Sequence, residues 1–509
     1  MPAASCFLKR KAGSSSRAAP TARRSSPGPA ASVNQLDRLT GRRAATCEEG
    51  YMAQKEDMKS DSILTRQFSR RSVLKAGLVG AAGLSVAPIL EACSPFSSSS
   101  GNTDRIVIGT FQDNAMVPFR DVFIKRFQTE TGIKVQYNET NYDAWYQNSK
   151  NDGLHKTGAY DIYVMDDNWV PEFAAGHVIQ SLDKLGFKVN PDILANGLNQ
   201  GYWPPKTGAK MKAFASATPE LYAIVIIDDV EILYYNKQYF DGAPKTWDDI
   251  ARAAQSKSKP PSLYGWSPRG VKGNPIVQTY LPLLNSYGGN FVNQDWSPGF
   301  AGPEGLGALE RLFSFIPYMP SGSAEFDTDQ EVQVLLQGQC MALTEYTGLT
   351  HQVDDPSASK VSGQINMAAT PSQEKSGPAI GTFICGIASG APNPQGAKKF
   401  LEWFTSSSVQ LDFAKTNGSA AVTGSALTDK TISSQFRWLP AIADAVNNSV
   451  AKPHTPDEPK LEDILGTRLN EALVQALSQK SGYRAIANAK LTQAANEVTA
   501  YLKQQGGYF

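Results

Sequence analysis

From Arg105 onward, continuous apolar runs alternate with stretches whose apolar residues recur at helical spacing. Arg105-Ile-Val-Ile-Gly-Thr-Phe111 is the first run, and it ends in the polar triplet Gln112-Asp113-Asn114. A run of that kind predicts a strand buried on both faces of a parallel sheet. Phe119, Val122, Phe123 and Phe127 then predict a helix. Thr131-Gly132 stops it, because glycine tolerates the left-handed C-cap. Ile133-Lys-Val-Gln-Tyr137 predicts a second strand, a helix starts near Tyr142, and Tyr160-Asp-Ile-Tyr-Val-Met165 predicts a third strand. This order implies an α/β sheet with right-handed crossovers. Ligands of such sheets sit at the carboxyl ends of the strands. Here those ends are Gln112–Asn114, Asn138–Tyr142 and Asp166–Trp169, all polar or aromatic.

The run from Leu221 to Lys237 is too long for one strand, and Asp228-Asp229 interrupts it. Two acids in an apolar run are costly unless the backbone crosses an open cleft there. The segment therefore reads as a strand that leaves one lobe and enters another. Pro244-Lys-Thr-Trp-Asp-Asp249 predicts a helix start with Thr246 as the cap and acids in the first turn. Leu465, Leu469, Leu473 and Leu477 mark an amphipathic helix near the C-terminus.

The chain has 509 residues, 41% of them hydrophobic, which is enough for two cores. A net charge of +1 gives no reason to expect nucleic acid. The four histidines, His155, His177, His351 and His454, lie in no metal-ligand spacing, so neither a metal nor a cofactor is expected. Gly288-Gly289 reads as a turn, since no phosphate-loop motif follows a strand. Cys340 and Cys385 lie in two strand-like runs. They read as buried thiols, or as a disulfide if those strands are neighbours.

The first hundred residues read as an address. Residues 1–57 are rich in Ala, Ser, Arg and Pro and read as a disordered or untranslated extension, with Met58 as an alternative start. Residues 58–92 have the parts of a twin-arginine signal: Ser69-Arg70-Arg71-Ser72-Val73-Leu74-Lys75, then a short apolar stretch from Ala76 to Leu90. About 15 apolar residues are too few for a comfortable membrane span. Leu90-Glu-Ala-Cys93 resembles a lipobox, in which Cys93 would carry lipid, although Glu91 is unusual there. Residues 93–103 would then be a Ser-rich tether. The expected product is an exported, lipid-anchored protein on the outer face of the membrane, or in the periplasm.

Several motifs in order resemble the family 1 extracellular solute-binding proteins of bacterial ABC importers, among them maltose- and polyol-binding proteins. These motifs are Thr131-Gly-Ile-Lys-Val135, Asp166 to Trp169 with Phe173-Ala-Ala-Gly176, and Leu233-Tyr-Tyr-Asn-Lys237. Pro244 to Asp249, Leu284-Asn-Ser-Tyr-Gly-Gly289, Gln337-Gly-Gln-Cys-Met-Ala342 and Ala397-Lys-Lys-Phe-Leu-Glu-Trp403 complete the set. Each is weak alone; their order and spacing are specific. The resemblance implies a type II two-lobed fold joined by crossing hinge segments. Lobe one would hold 104–227 and 386–433, and lobe two 230–384 and 437–509. It also implies a monomer that hands a small solute to an ABC permease, with no catalysis.

By motif position, Asp113 and Asn114 line the first cleft loop, and Asp167 and Trp169 the second. Asp229 is the acid at the lobe crossing, and Trp266 with Arg269 lie where relatives carry ligand contacts. Tyr346 stands where many relatives have Trp, and Phe383 edges the cleft beside Gly381-Thr382. Trp169 and Phe383 read equally well as core residues, and Arg269 as a solvated loop charge. Tyr142 and Trp438 are weaker candidates. Acids, amides and rings suit a carbohydrate or polyol, whose hydroxyls exchange paired hydrogen bonds and whose C–H faces stack on aromatics. A polyamine in the same clamp is the alternative, using Asp166, Asp167, Asp228 and Asp229. An exported glycan hydrolase with Asp166 and Asp229 as its carboxylate pair, and a partner-binding surface sensor, are more remote readings.

Overall fold

The computed structural model describes residues 104–418 and 420–509. The extension, the Arg70-Arg71 signal, Cys93 and the tether all lie outside the described residues. Among the described residues ten strands form two main sheets and one small pair. They are β1 (Arg105–Phe111), β2 (Lys134–Thr140), β3 (Ile162–Asp166), β4 (Tyr202–Trp203), β5 (Glu220–Leu221), β6 (Ala223–Ile227), β7 (Glu231–Asn236), β8 (Ala342–Tyr346), β9 (Ile365–Ala368) and β10 (Phe383–Ile387).

The first sheet has the order β2-β1-β3-β10-β6. β1 pairs in parallel with β2 and β3, while β10 runs antiparallel between β3 and β6. Helices Ile124–Thr131 and Tyr142–His155 supply the crossovers. A π-helical turn, Phe119–Phe123, precedes the first of them, and Gly132 ends it at φ 74°. Phe119, Phe123 and Phe127 are buried, but Val122, counted with them by spacing, is exposed. At Gly109 in β1 a Cβ would sit 2.1 Å from the Trp145 ring, so the helix–sheet contact requires glycine. β10 joins this sheet from Phe383, three residues earlier than the boundary at 386 expected from the sequence, because its pairing with β3 already starts at Phe383–Asp166.

The second sheet, β8-β7-β9, is antiparallel. β7 is buried on both faces, and alternation divides its side chains between two cores. Ile232 and Tyr234 join the core that runs from the first sheet, whereas Leu233 and Tyr235 join that of the second lobe. The second core is closed by helices Asn274–Ser286 and Pro303–Ser314 and by the C-terminal pair Glu458–Gln479 and Tyr483–Gln505. Leu465, Leu469 and Leu473 are buried there, and Leu477 packs half-buried at the edge. Thr246 caps helix Trp247–Lys257 in a full capping box with Asp249. Cys340 and Cys385 are both buried free thiols.

Three segments pass between the lobes side by side. Asp228–Val230 links β6 to β7, and its Val230 bridges to Ile380 on the segment leading into β10. Ala379 pairs in turn with Val450, which follows helix Leu439–Asn448. Backbone hydrogen bonds Glu231 N–Ala379 O (3.2 Å), Gly381 N–Asp229 O (3.1 Å) and Val450 N–Pro378 O (2.9 Å) bind the three together.

Candidate functional site

A cavity of ≈560 Å³ opens between the two sheets against these crossing segments. Its first wall is built from strand ends. After β1 the chain turns because Asp113 Oδ1 accepts the Ala115 amide at 2.7 Å. That turn leaves Gln112, Asp113 and Asn114 exposed to the cleft. After β3, Asp166 faces the cavity and accepts a 2.9 Å hydrogen bond from the Tyr142 hydroxyl. Phe111 and Phe383 stack at 5.4 Å, with Tyr142 edge-on to Phe111 at 5.1 Å, to make an aromatic floor.

Asp229 stands at the hinge. Its Oδ1 accepts from Val230 N (3.0 Å), Thr347 N (2.9 Å) and the Thr347 hydroxyl, tying the crossing to the turn after β8. Oδ2 has no protein partner among the described residues, although Asp229 is only 5% exposed and lines the cavity. Burial pushes its carboxyl up to about 7 against the Thr347 hydrogen bonds, and Asp113 adds to the rise. Asp113 reaches about 6: the enclosing walls outweigh its contact with solvent, and Glu345 and Asp166 push in the same direction. Asp228 is different. It is fully buried, neither oxygen has a partner among the described residues, and burial raises it to about 8.

The second wall centres on Arg269. Its guanidinium donates to Glu231 at 3.0 Å and lies 3.4 Å from Glu345 and 3.7 Å from Glu331, all of them nearly inaccessible to solvent. Burial works against the Arg269 charge, but the three glutamates outweigh it and hold the guanidinium above its ordinary value. Burial also lifts Glu231 and Glu331, with Arg269 opposing both. Glu231, although directly hydrogen-bonded to Arg269, is lifted by burial to about 8. Glu331, the furthest from Arg269 and pressed by Glu345, is held well above the carboxyl range and keeps its proton. The guanidinium also lies 5.4 Å over the Tyr346 ring, and the Tyr346 hydroxyl donates to Gln278 at 2.9 Å.

Lys452 comes from the third crossing segment. Its ammonium, almost wholly buried, lies 3.6 Å from Glu462. Burial opposes its charge, but the acids around it, Glu462 above all, hold it above its ordinary value. Asn168 donates to Glu458 at 2.9 Å, which links the turn after β3 to a C-terminal helix.

The cavity thus brings together six of the nine residues expected to bind: Asp113, Asn114, Asp229, Arg269, Tyr346 and Phe383. It does not bring in the other three. Trp266 is fully buried in the second core, 5.9 Å from Trp247 and 5.0 Å from Phe315. Trp169 packs among Phe111, Tyr142, Tyr146 and Phe173, and its indole N–H donates to the Tyr142 hydroxyl at 3.1 Å. Asp167 is buried behind the wall, where burial and Asp166 keep it protonated. Tyr142 lines the cavity; Trp438 does not.

Lys452, Glu345, Gln278 and Asp166 were absent from the primary candidates. A signal existed for two of them. Glu345 is an acid inside the buried strand Ala342–Tyr346, the same anomaly that marked Asp229. Gln278 is a buried amide that follows Ile276-Val277 in the buried helix Asn274–Ser286. Nothing around Lys452 distinguishes it in the sequence.

Two lobes, three adjacent crossings and a polar, ring-floored cleft between them define a clamp-type binding protein. Residues 113–411 match the bacterial extracellular solute-binding proteins, and the chain belongs to that family. A relative, a probable amino-acid ABC transporter periplasmic-binding protein of Sinorhizobium fredii, is 22% identical over 69% of this chain and 80% of its own. The ribitol complex of an ABC transporter solute-binding protein from Agrobacterium radiobacter aligns with TM-score 0.64 and 20% identity, covering 78% of this chain and 98% of that one. A maltose-bound protein of T. maritima gives TM-score 0.67 at 17% identity, over 78% and 100%.

Proposed function

We propose that the protein captures a sugar, oligosaccharide or polyol in the cleft by lobe closure and delivers it to the permease of an ABC importer. The observation that carries this reading is the cavity itself: ≈560 Å³ between two lobes, with Gln112, Asn114 and Gln352 amides facing acids and a stacked aromatic floor. That volume lies in the usual range for small-ligand sites. Open and closed states exchange, and a ligand that touches both walls favours closure by its differential affinity. The lobes are taken as 104–227 with 383–433, and 230–382 with 437–509. The relatives that bind ribitol and maltose support the ligand class.

Export through Arg70 and Arg71, a lipid on Cys93 and a monomeric state complete the proposal. The acids at the cleft are ligand contacts in this reading, so chromogenic glycosides should not be turned over. The test is a thermal-shift screen of the full-length chain against sugars, polyols and oligosaccharides. A ligand at a hundred times its dissociation constant adds about 2.7 kcal/mol of stability. A shift with one such compound, and its loss in Asp229→Ala, supports the reading; a panel with no shift refutes it.

A further inference from the structure

Resting on the capture function above, we propose that the solute is a polyhydroxylated amine, an amino sugar or aminopolyol, whose ammonium sits between Asp113, Asp229 and Glu345. The first support is the balance of charge around the cavity. Six carboxylates line it: Asp113, Glu139, Asp166, Asp229, Asp329 and Glu345. Only three cations do, and each is already engaged. Arg120 holds Asp121 and Glu139, Arg269 holds its glutamates, and Lys452 faces Glu462.

The second support is independent of that count. Asp229 is only 5% exposed and lines the cavity, and among the described residues no donor reaches its Oδ2. That oxygen is free to accept a hydrogen bond from a ligand in the cavity. A hydroxyl is a donor, but an ammonium also carries the positive charge that attracts the ionised form of the acid.

The third support is where the acids come from. Asp113 belongs to the loop after β1, Asp229 to the hinge and Glu345 to β8. Closure therefore brings like charges from both lobes towards one volume. A neutral sugar leaves that repulsion in place, whereas an ammonium converts it into attraction between each wall and the ligand. The Phe111–Phe383 floor and the Tyr142 ring add faces that favour a cation. The amides of Gln112, Asn114 and Gln352 require acceptors on the ligand, which hydroxyls supply and a bare alkyl amine does not.

The experiment is calorimetric titration of the full-length chain at pH 7 with matched pairs: D-glucosamine against D-glucose, and 1-amino-1-deoxy-D-sorbitol against D-sorbitol. N-acetylglucosamine, mannitol, ribitol, maltose and spermidine complete the panel. The expected result is that an amine binds at least tenfold tighter than its hydroxyl twin and that acetylation removes the advantage. Asp113→Asn keeps the Ala115 cap and Asp229→Asn keeps an acceptor for Thr347, and each should reduce the preference severalfold while the fold survives. A neutral sugar or polyol that binds as tightly as its amine twin overturns this inference and leaves the capture function standing. Binding of spermidine with every hydroxylated compound inert overturns both. So does a panel in which nothing binds.

Discussion

Replacing Arg269 by methionine removes the one cation from a buried group of three glutamates. The methionine fills much of the same volume, so the effect is electrostatic. Burial already raises Glu231 and Glu331, so removing the guanidinium leaves a group of three carboxyls, none more than 5% exposed, one counter-charge short. The cheapest response is protonation. Bringing one carboxyl from an ordinary pKa of about 4.3 to full protonation at pH 7 costs about 3.7 kcal/mol, and at pH 5 about 1 kcal/mol. Taking up that one proton gives a loss of about 4 kcal/mol at pH 7, within the range for breaking buried pairs. The sign follows from proton counts: the folded variant binds more protons than the unfolded chain, so its stability falls as pH rises from about 4 towards 7. Denaturant unfolding of wild type and Arg269→Met at pH 5 and pH 7 measures this. A deficit under about 1 kcal/mol at pH 7, or one of equal size at both pH values, would refute the argument.

The other predictions probe separate links. Asp229→Ala should weaken ligand binding at least tenfold without unfolding the protein, as titration of the purified variant will show; unchanged affinity sinks its place in the cleft. Asp228, raised to about 8 and unpartnered, makes the folded state lose stability as pH rises from about 4 to 8. Asp228→Asn should flatten that slope in melting temperatures taken across the range, and a slope equal to wild type would contradict it. Gly109→Ala forces a methyl group against Trp145 and should cost about 1–3 kcal/mol in denaturant unfolding, with tolerance without loss the contrary result. Trp266→Ala should cost about 3–5 kcal/mol of stability and leave ligand affinity unchanged, because the side chain never reaches the cavity.

The strands around the first wall were legible because a buried strand must be apolar along its whole length, and the residues at its end are then free to be polar. The same logic exposed Asp228-Asp229. Two acids inside an apolar run demand a special place, and the structure puts them where β6 passes into β7. It did not separate their roles. Asp229 has three donors on one oxygen and lines the cavity, whereas Asp228 is buried in protein with no donor among the described residues. Their neighbours in sequence are alike; their neighbours in space are not.

What the sequence determined by itself was everything that follows from periodicity and local chemistry. That includes the α/β order of strands and helices, the Thr246 capping box, the Gly132 stop, the amphipathic C-terminal helix and the place where the chain crosses between lobes. Only the tertiary structure decided which side chains share the cleft. Trp266 and Arg269 lie three residues apart, yet one fills the second core and the other meets three glutamates drawn from β7, β8 and helix Thr328–Leu336. Lys452 enters from a crossing segment with no periodic signal, and its partners lie on a C-terminal helix and at the end of β3. Period records which face of an element is buried. A site is a meeting of faces from elements hundreds of residues apart, and the packing of two lobes around three hinge segments sets that meeting.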